Sequence, residues 1–189
     1  STGKQGIAIA EAALSRGADV TLIIANSSLP TNPRIKRIDV ESVQELSSEL
    51  TANFADSDYL FMAAAVSDAR PASVADEKIK KSLFTSIELV ENEDVLATLS
   101  ASKSQQVIVA FAAETDSDSV DLAREKMKRK GADVIYLNNV SGGAIFGENA
   151  TSGSIIDESG LLESFTDISK EKLAHTLINH AIKYTYKLG

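Results

Sequence analysis

The 189-residue chain is 43% hydrophobic, sets 19 Lys and Arg against 27 Asp and Glu for a net charge of −8, and has two His and no Cys. Disulfides and thiolate chemistry are thereby excluded, a histidine-rich zinc site nearly so, and general nucleic-acid binding is disfavoured because a phosphate backbone attracts a basic surface. No apolar run approaches the ~20 residues of a membrane span and no signal peptide is visible, so a soluble, cytoplasmic protein in a reducing compartment is expected. The opening STGKQGIAIAEAALSRGADV places Ser1 and Thr2 as N-cap residues before a helix over 4–16 that ends at Arg16-Gly17. A strand over 19–24, the loop SSLPTNP, a short strand over 35–40 and a helix over 41–53 follow. Next come the strand YLFMAAA, an irregular stretch over 67–85, the strand SIELV, a helix over 93–102 and the strand QVIVAFAA. A helix over 117–130, the strand DVIYLN, a long loop from Ser141, a strand near GSIID and a helix over 169–186 complete the chain.

Strands alternating with helices of about ten to fifteen residues predict an α/β fold, doubly wound, with a mostly parallel sheet and helices on both faces. LFMAAAV and VIVAFAA are apolar at nearly every position, as central strands buried on both sides should be. The chain starts on a helix and not on a strand. This pattern leads us to expect one domain over 1–189 whose first strand and Gly-rich loop would lie before residue 1. In open α/β sheets ligands sit beyond the carboxyl ends of the strands, so the segments after each strand matter most. After YLFMAAAV comes SDARPASVADEKIKKS, long enough to suggest a lid. ENEDV, ETD and NVSGGAIFG follow the later strands, so four strand ends converge on one rim.

Eight of the 19 basic residues fall in EKIKK (Lys78, Lys80, Lys81) and REKMKRK (Arg124, Lys126, Lys128, Arg129, Lys130). Local basic spots in an acidic chain suit a small anion, although solvated lysine-rich faces are the commoner meaning of such clusters. Lys126 and Lys130 share one helix face and can hold a base or a phosphate, while cations near a helix C-terminus also complement the macrodipole. Asp68 and Glu114, just after buried strands, can bind ribose hydroxyls or a metal, or merely cap a turn. Other motifs fail: TGKQG lacks Walker spacing, no G-x-G-x-x-G or G-x-S-x-G is present, and Tyr184 and Lys187 are three apart instead of the four of a Tyr-x-x-x-Lys pair.

A resemblance that runs from Ser1 to about Lys172 is carried by nine ordered blocks. They are STGKQG, IAIAEAALSRGADVTLI, FMAAAVSDARP, EKIKK, NEDVLATL, FAAET, AREKMKRKGADVI, NNVS and FGENA. Together they resemble phosphopantothenoylcysteine synthetase, the phosphopantothenate cysteine ligase of coenzyme A biosynthesis, in its bacterial CTP-dependent type. The resemblance implies a Rossmann-like domain that activates 4'-phosphopantothenate as an acyl-cytidylate with loss of pyrophosphate, after which the amine of cysteine attacks. It implies magnesium with the CTP, a homodimer, and fusion to or association with a flavin-dependent decarboxylase. It gives Lys78 the catalytic role of stabilising charge that develops on the phosphates. By the same matching Ser1, Thr2 and Gly3 approach the phosphates, and Met62, Ala63, Ala64 and Asp68 contact the nucleotide. Asn92, Glu93, Asp94 and Val95 offer helix-start N–H groups, Phe111 packs near the base, and Lys126 and Lys130 complete the CTP site.

Two motifs depart from the family pattern. The usual Asn-Pro-Asp-Ile reads NEDV, with Glu93 for proline, and the usual Asn-Asp-Val reads NNV, with Asn139 for aspartate. The family's Asn ahead of the Ser-Gly-Lys block would lie before Ser1. The rival readings are an ATP-preferring ligase, a nicotinamide-dependent reductase on the same fold, and a non-catalytic nucleotide-binding module.

Overall fold

The computed structural model describes residues 2–73, 86–114, 120–140 and 149–188. Helix α1 (Lys4–Ser15) buries Ile9, Ala10, Ala12 and Leu14 and ends where Gly17, at φ 85°, turns the chain into β1 (Thr21–Ala25). Its start corrects the expected Ser/Thr cap. The N-cap is Gly3, left-handed at φ 77°, and no side chain caps the helix. A Cβ on Gly3 would stand 2.9 Å from Ile24 Cδ1 and 3.1 Å from Ser27 Oγ, so the close approach to β1 and the backbone angle both select glycine.

Strand β2 (Lys36–Val40) pairs parallel to β1. Helix α2 (Val43–Phe54) begins with a capping box: Glu45 N–H donates to Ser42 Oγ, and the Glu45 carboxylate accepts from the Ser42 and Glu41 backbones. A five-stranded sheet follows in the order β3 (Tyr59–Met62), β6 (Val107–Glu114), β7 (Val134–Asn139), β8 (Ala150–Asp157), β9 (Gly160–Ser169). The first three strands run parallel and the last two antiparallel. Between β3 and β6 lie the antiparallel pair β4 (Ala69–Pro71) and β5 (Leu89–Glu91), then α3 (Val95–Ala101). Helices α4 (Val120–Lys130) and α5 (Lys170–Leu188) complete the described elements.

Period-two alternation divides the core between the sheet's faces. Ile108, Ala110, Ile135 and Ile156 pack against Leu46, Leu50 and Phe54 of α2, Leu96 and Leu99 of α3, and Ala123 and Met127 of α4. Val107, Val109, Val134, Tyr136 and Ile155 meet Ile9 and Ala12 of α1 and Leu173, Leu177 and Ala181 of α5. Fully burying a leucine such as Leu177 contributes about 2 kcal/mol. The α/β layering is therefore as expected, but β3 is shorter than YLFMAAA and only half buried, and β9 answers no predicted element. Among the described residues no helix is long and apolar enough to cross a membrane.

A polar cluster closes the amino-terminal edge of the parallel strands. Asp157, 1% exposed, accepts from Lys187 Nζ at 2.8 Å and from the backbone and hydroxyl of Ser159. Burial opposes its charge, but these donors outweigh burial and hold its pKa below the usual aspartate value. The folded pKa is depressed, so the unfolded chain takes up the proton first. The stability contributed by Asp157 is present above about pH 4 and lost as pH falls through the carboxylate range. Asp157→Asn is therefore expected to melt lower than the parent at pH 7 and to lose less on acidification. Melting curves between about pH 7 and pH 3 measure the difference, and parallel curves would show that Asp157 carries no acid sensitivity.

Nearby, burial and the carboxylates of Asp133, Glu158 and Asp157 push Tyr184 up to about 12. Tyr184 and Lys187 thus belong to this amino-edge cluster, at the other end of the parallel strands from the carboxyl edge where ligands sit in such sheets.

Candidate functional site

Parallel β3, β6 and β7 end together at Met62, Glu114 and Asn139, and this edge collects most of the residues picked out by sequence. Past β3, Asn92 ties the returning chain down. Its N–H donates to the Asp68 carbonyl at 2.8 Å, its Nδ2 donates to the Ser67 carbonyl at 2.8 Å, and its Oδ1 accepts from Arg70 Nη1 at 3.0 Å. Both ends of the Asn92 side chain are thus committed, Nδ2 to the 63–68 loop and Oδ1 to Arg70 of β4. Met62 is buried in the core, Ala63 is half buried, and Ala64 and Asp68 are exposed beside that tie.

Helix α3 starts later than expected, and its N-cap is Asp94. The Asp94 carboxylate accepts from Ala97 N–H at 3.2 Å and from Lys130 Nζ at 3.1 Å. Burial opposes the charge, but the backbone N–H groups and Lys130 prevail and its pKa lies below the usual value. The helix-start N–H groups expected to be open to a ligand are therefore partly used by Asp94 itself. Glu93, where the family has proline, accepts from Thr98 Oγ1 at 2.7 Å and braces the first turn. Val95 is core, so only its backbone can face the rim.

Lys130 joins this cluster from α4, and Lys126, one turn earlier, is half buried on the same helix. Phe111 lies on the opposite face of the sheet, edge-on to Tyr136 with ring centroids 5.8 Å apart. Thr2 and Gly3 reach the rim by a separate route, the Thr2 carbonyl accepting from Ser27 Oγ at 3.2 Å just past β1. Ser1 and Lys78 lie outside the described residues, and so does the rest of EKIKK.

The sequence reading missed Lys4 and Asn149. Lys4 Nζ donates to Asn149 Oδ1 at 3.0 Å, and the Asn149 carbonyl accepts from Lys170 N–H at 3.0 Å, so the starts of α1 and α5 meet at the head of β8. A cavity of about 340 Å³ opens there, lined by Lys4, Ile7, Ala8, Leu29, Pro30, Asn149 and Lys170. With no acidic residue in its first turn and no side-chain cap, α1 presents positive potential to this corner. A contact spanning 145 positions leaves no local signal in sequence.

A doubly wound α/β fold with amide, cationic and helix-start groups gathered at the carboxyl edge of its parallel strands is Rossmann-like. Over residues 1–184 the chain matches the DNA/pantothenate metabolism flavoprotein C-terminal domain, and it belongs to that family. It is 36% identical over 196 residues to the coenzyme A biosynthesis bifunctional protein CoaBC of Mycobacterium tuberculosis, covering 97% of this chain and 47% of that protein. A cysteine/cysteine sulfinic acid decarboxylase from an unknown prokaryotic organism is 38% identical over 182 residues, covering 94% of this chain and 50% of that protein. The crystal structure of the C-terminal domain of a CoaBC protein superposes with a TM-score of 0.81 at 26% identity, covering all of this chain and 85% of that one. The chain spans about half the length of the curated relatives it matches.

Proposed function

We propose that this domain is a phosphopantothenate cysteine ligase of coenzyme A biosynthesis. It joins cysteine to 4'-phosphopantothenate through an acyl-cytidylate and yields phosphopantothenoylcysteine, CMP and pyrophosphate. The observation that carries the reading is the likeness to CoaBC over nearly the whole chain, in sequence and, for its C-terminal domain, in fold. The rim supports it: α1 starts with no side-chain cap and no acidic residue in its first turn, which suits an anion, and Asp94 and Lys130 bring α3 and α4 together across the sheet from Phe111.

Magnesium enters the proposal as the counter-ion of the triphosphate, held mostly by phosphate oxygens and water. Among the described residues no three His, Asp or Glu side chains gather to hold a metal. CTP as the nucleotide, the homodimer and a cytoplasmic location belong to the same proposal.

The test supplies 4'-phosphopantothenate, cysteine and magnesium with CTP, ATP or NADPH, and follows pyrophosphate release and product mass. CTP-dependent formation of phosphopantothenoylcysteine is expected. Equal turnover with ATP would overturn the nucleotide assignment, and binding of NADPH alone would overturn the ligase.

A further inference from the structure

One polar chain near the rim is left unused by the proposed chemistry. Tyr136, 2% exposed and edge-on to Phe111, brings its hydroxyl to 3.4 Å from Thr151 Oγ1, and Thr151 donates to Asn138 Oδ1 at 2.5 Å. Gly153, opposite Asn138 on β8, makes the arrangement possible. A Cβ there would stand 2.7 Å from the Tyr136 hydroxyl and 2.1 Å from the Leu137 carbonyl oxygen.

With the Asn138 carboxamide oxygen facing Thr151, the chain runs from Tyr136 to Asn138. A threonine hydroxyl has a single proton, and here it goes to Asn138, so Thr151 accepts from Tyr136. Burial raises the Tyr136 pKa, so the phenol keeps the proton that it gives to Thr151. The carboxamide oxygen of Asn138 is therefore turned inward, and its Nδ2, with two donor hydrogens, has no partner among the described residues. Asn138 lies two residues beyond Tyr136 on the same face of β7, past Phe111 and toward the rim.

We infer that Thr151 is a specificity-positioning residue: it locks the Asn138 carboxamide as a donor, so the site takes a base that presents an acceptor and rejects one that presents a donor. This rests on the reading of the rim as a CTP site. Cytosine N3 is an acceptor where uracil carries N3–H, so a locked amide separates two bases of the same size. An unlocked asparagine flips and serves both. The discrimination thus depends on a hydroxyl that touches no nucleotide.

Calorimetric titration with CTP and with UTP, each with magnesium, tests this on the parent, Thr151→Val, Thr151→Ser and Asn138→Asp, with melting temperatures recorded for all. Thr151→Val is expected to narrow the CTP-over-UTP preference roughly tenfold, the scale of one unmade hydrogen bond, while Thr151→Ser keeps it. Asn138→Asp presents only acceptors and is expected to turn the preference toward UTP, which decides the matter if Thr151→Val fails to fold. An unchanged ratio in folded Thr151→Val and in Asn138→Asp, with CTP still bound by the parent, would overturn the lock and leave the ligase standing. Failure of the parent to bind CTP would overturn both.

Discussion

Asp133→Ala is expected to remove about 3 kcal/mol of stability, a large share of the roughly 5–15 kcal/mol that holds a domain folded. Asp133 opens the turn into β7 and joins the amino edge of the sheet through both backbone and side chain. Its N–H donates to the Ile108 carbonyl at 2.9 Å, and its Oδ2 accepts from the Ile108 N–H at 2.8 Å. Both carboxylate oxygens also accept from Lys103 Nζ, at 2.5 and 2.6 Å, with side-chain exposures of 9% for Asp133 and 20% for Lys103. Deleting the carboxylate leaves a fully buried N–H at Ile108 unpaired and a mostly buried ammonium without its counter-ion. Water reaching Lys103 keeps the loss at the lower end of the range for broken buried pairs. Asp133→Asn retains an acceptor for Ile108 and is expected to cost about half as much, which separates the hydrogen bond from the charge. Urea unfolding should show a lower midpoint with an unchanged slope. A loss below about 1 kcal/mol would mean that the edge is held by packing alone.

Sequence reached the fold where local rules and tertiary context agree. VIVAFAA became the buried β6 because an all-apolar run of that length has few other stable places. The helix expected over 41–53 formed as α2, and its start is held by a capping box of Ser42 and Glu45 that needs nothing beyond four consecutive residues. YLFMAAA misled, because small residues after Met62 mark an exposed turn as readily as a strand. In β9, Leu161 is exposed, Leu162 is half buried, and charged and polar residues fill most of the rest, so the pattern is too polar to stand out. Its turn depends on Gly160 at φ 122° and on Asp157 accepting from Ser159, a hydrogen bond that composition does not reveal.

At the site, residue types were legible and their partners were not. Asp94 was expected to lend open N–H groups; its own carboxylate takes the Ala97 N–H and binds Lys130, 36 positions away. Asn92 was expected to touch ligand, and it holds the loop beside Asp68. Thr151 could not be found at all, because its meaning lies in a three-residue chain crossing two antiparallel strands.

Lys78→Gln is expected to lower the rate of acyl-cytidylate formation by roughly a hundred- to a thousand-fold, the scale of removing one group aimed at developing charge. When the carboxylate of phosphopantothenate attacks the α-phosphorus, the bond to the leaving pyrophosphate breaks and negative charge accumulates on the phosphate oxygens. A lysine placed there gains more in the transition state than in the ground state, so its loss should fall on kcat more than on KM. Glutamine is one bond shorter than lysine but keeps hydrogen-bond donors, so the missing charge is the main difference. Lys81→Gln, in the same EKIKK stretch, is expected to leave the rate within a few-fold, since a general basic field would lose as much from either lysine. The measurement is pyrophosphate release with phosphopantothenate and CTP before cysteine is added, which isolates activation from amide formation. Equal losses in the two variants would assign the effect to the field of the whole stretch. An unchanged rate in Lys78→Gln would remove Lys78 from the chemistry and shift the charge on the leaving group to other positive groups of the proposed site, the start of α1 at Gly3 and Lys4 among them.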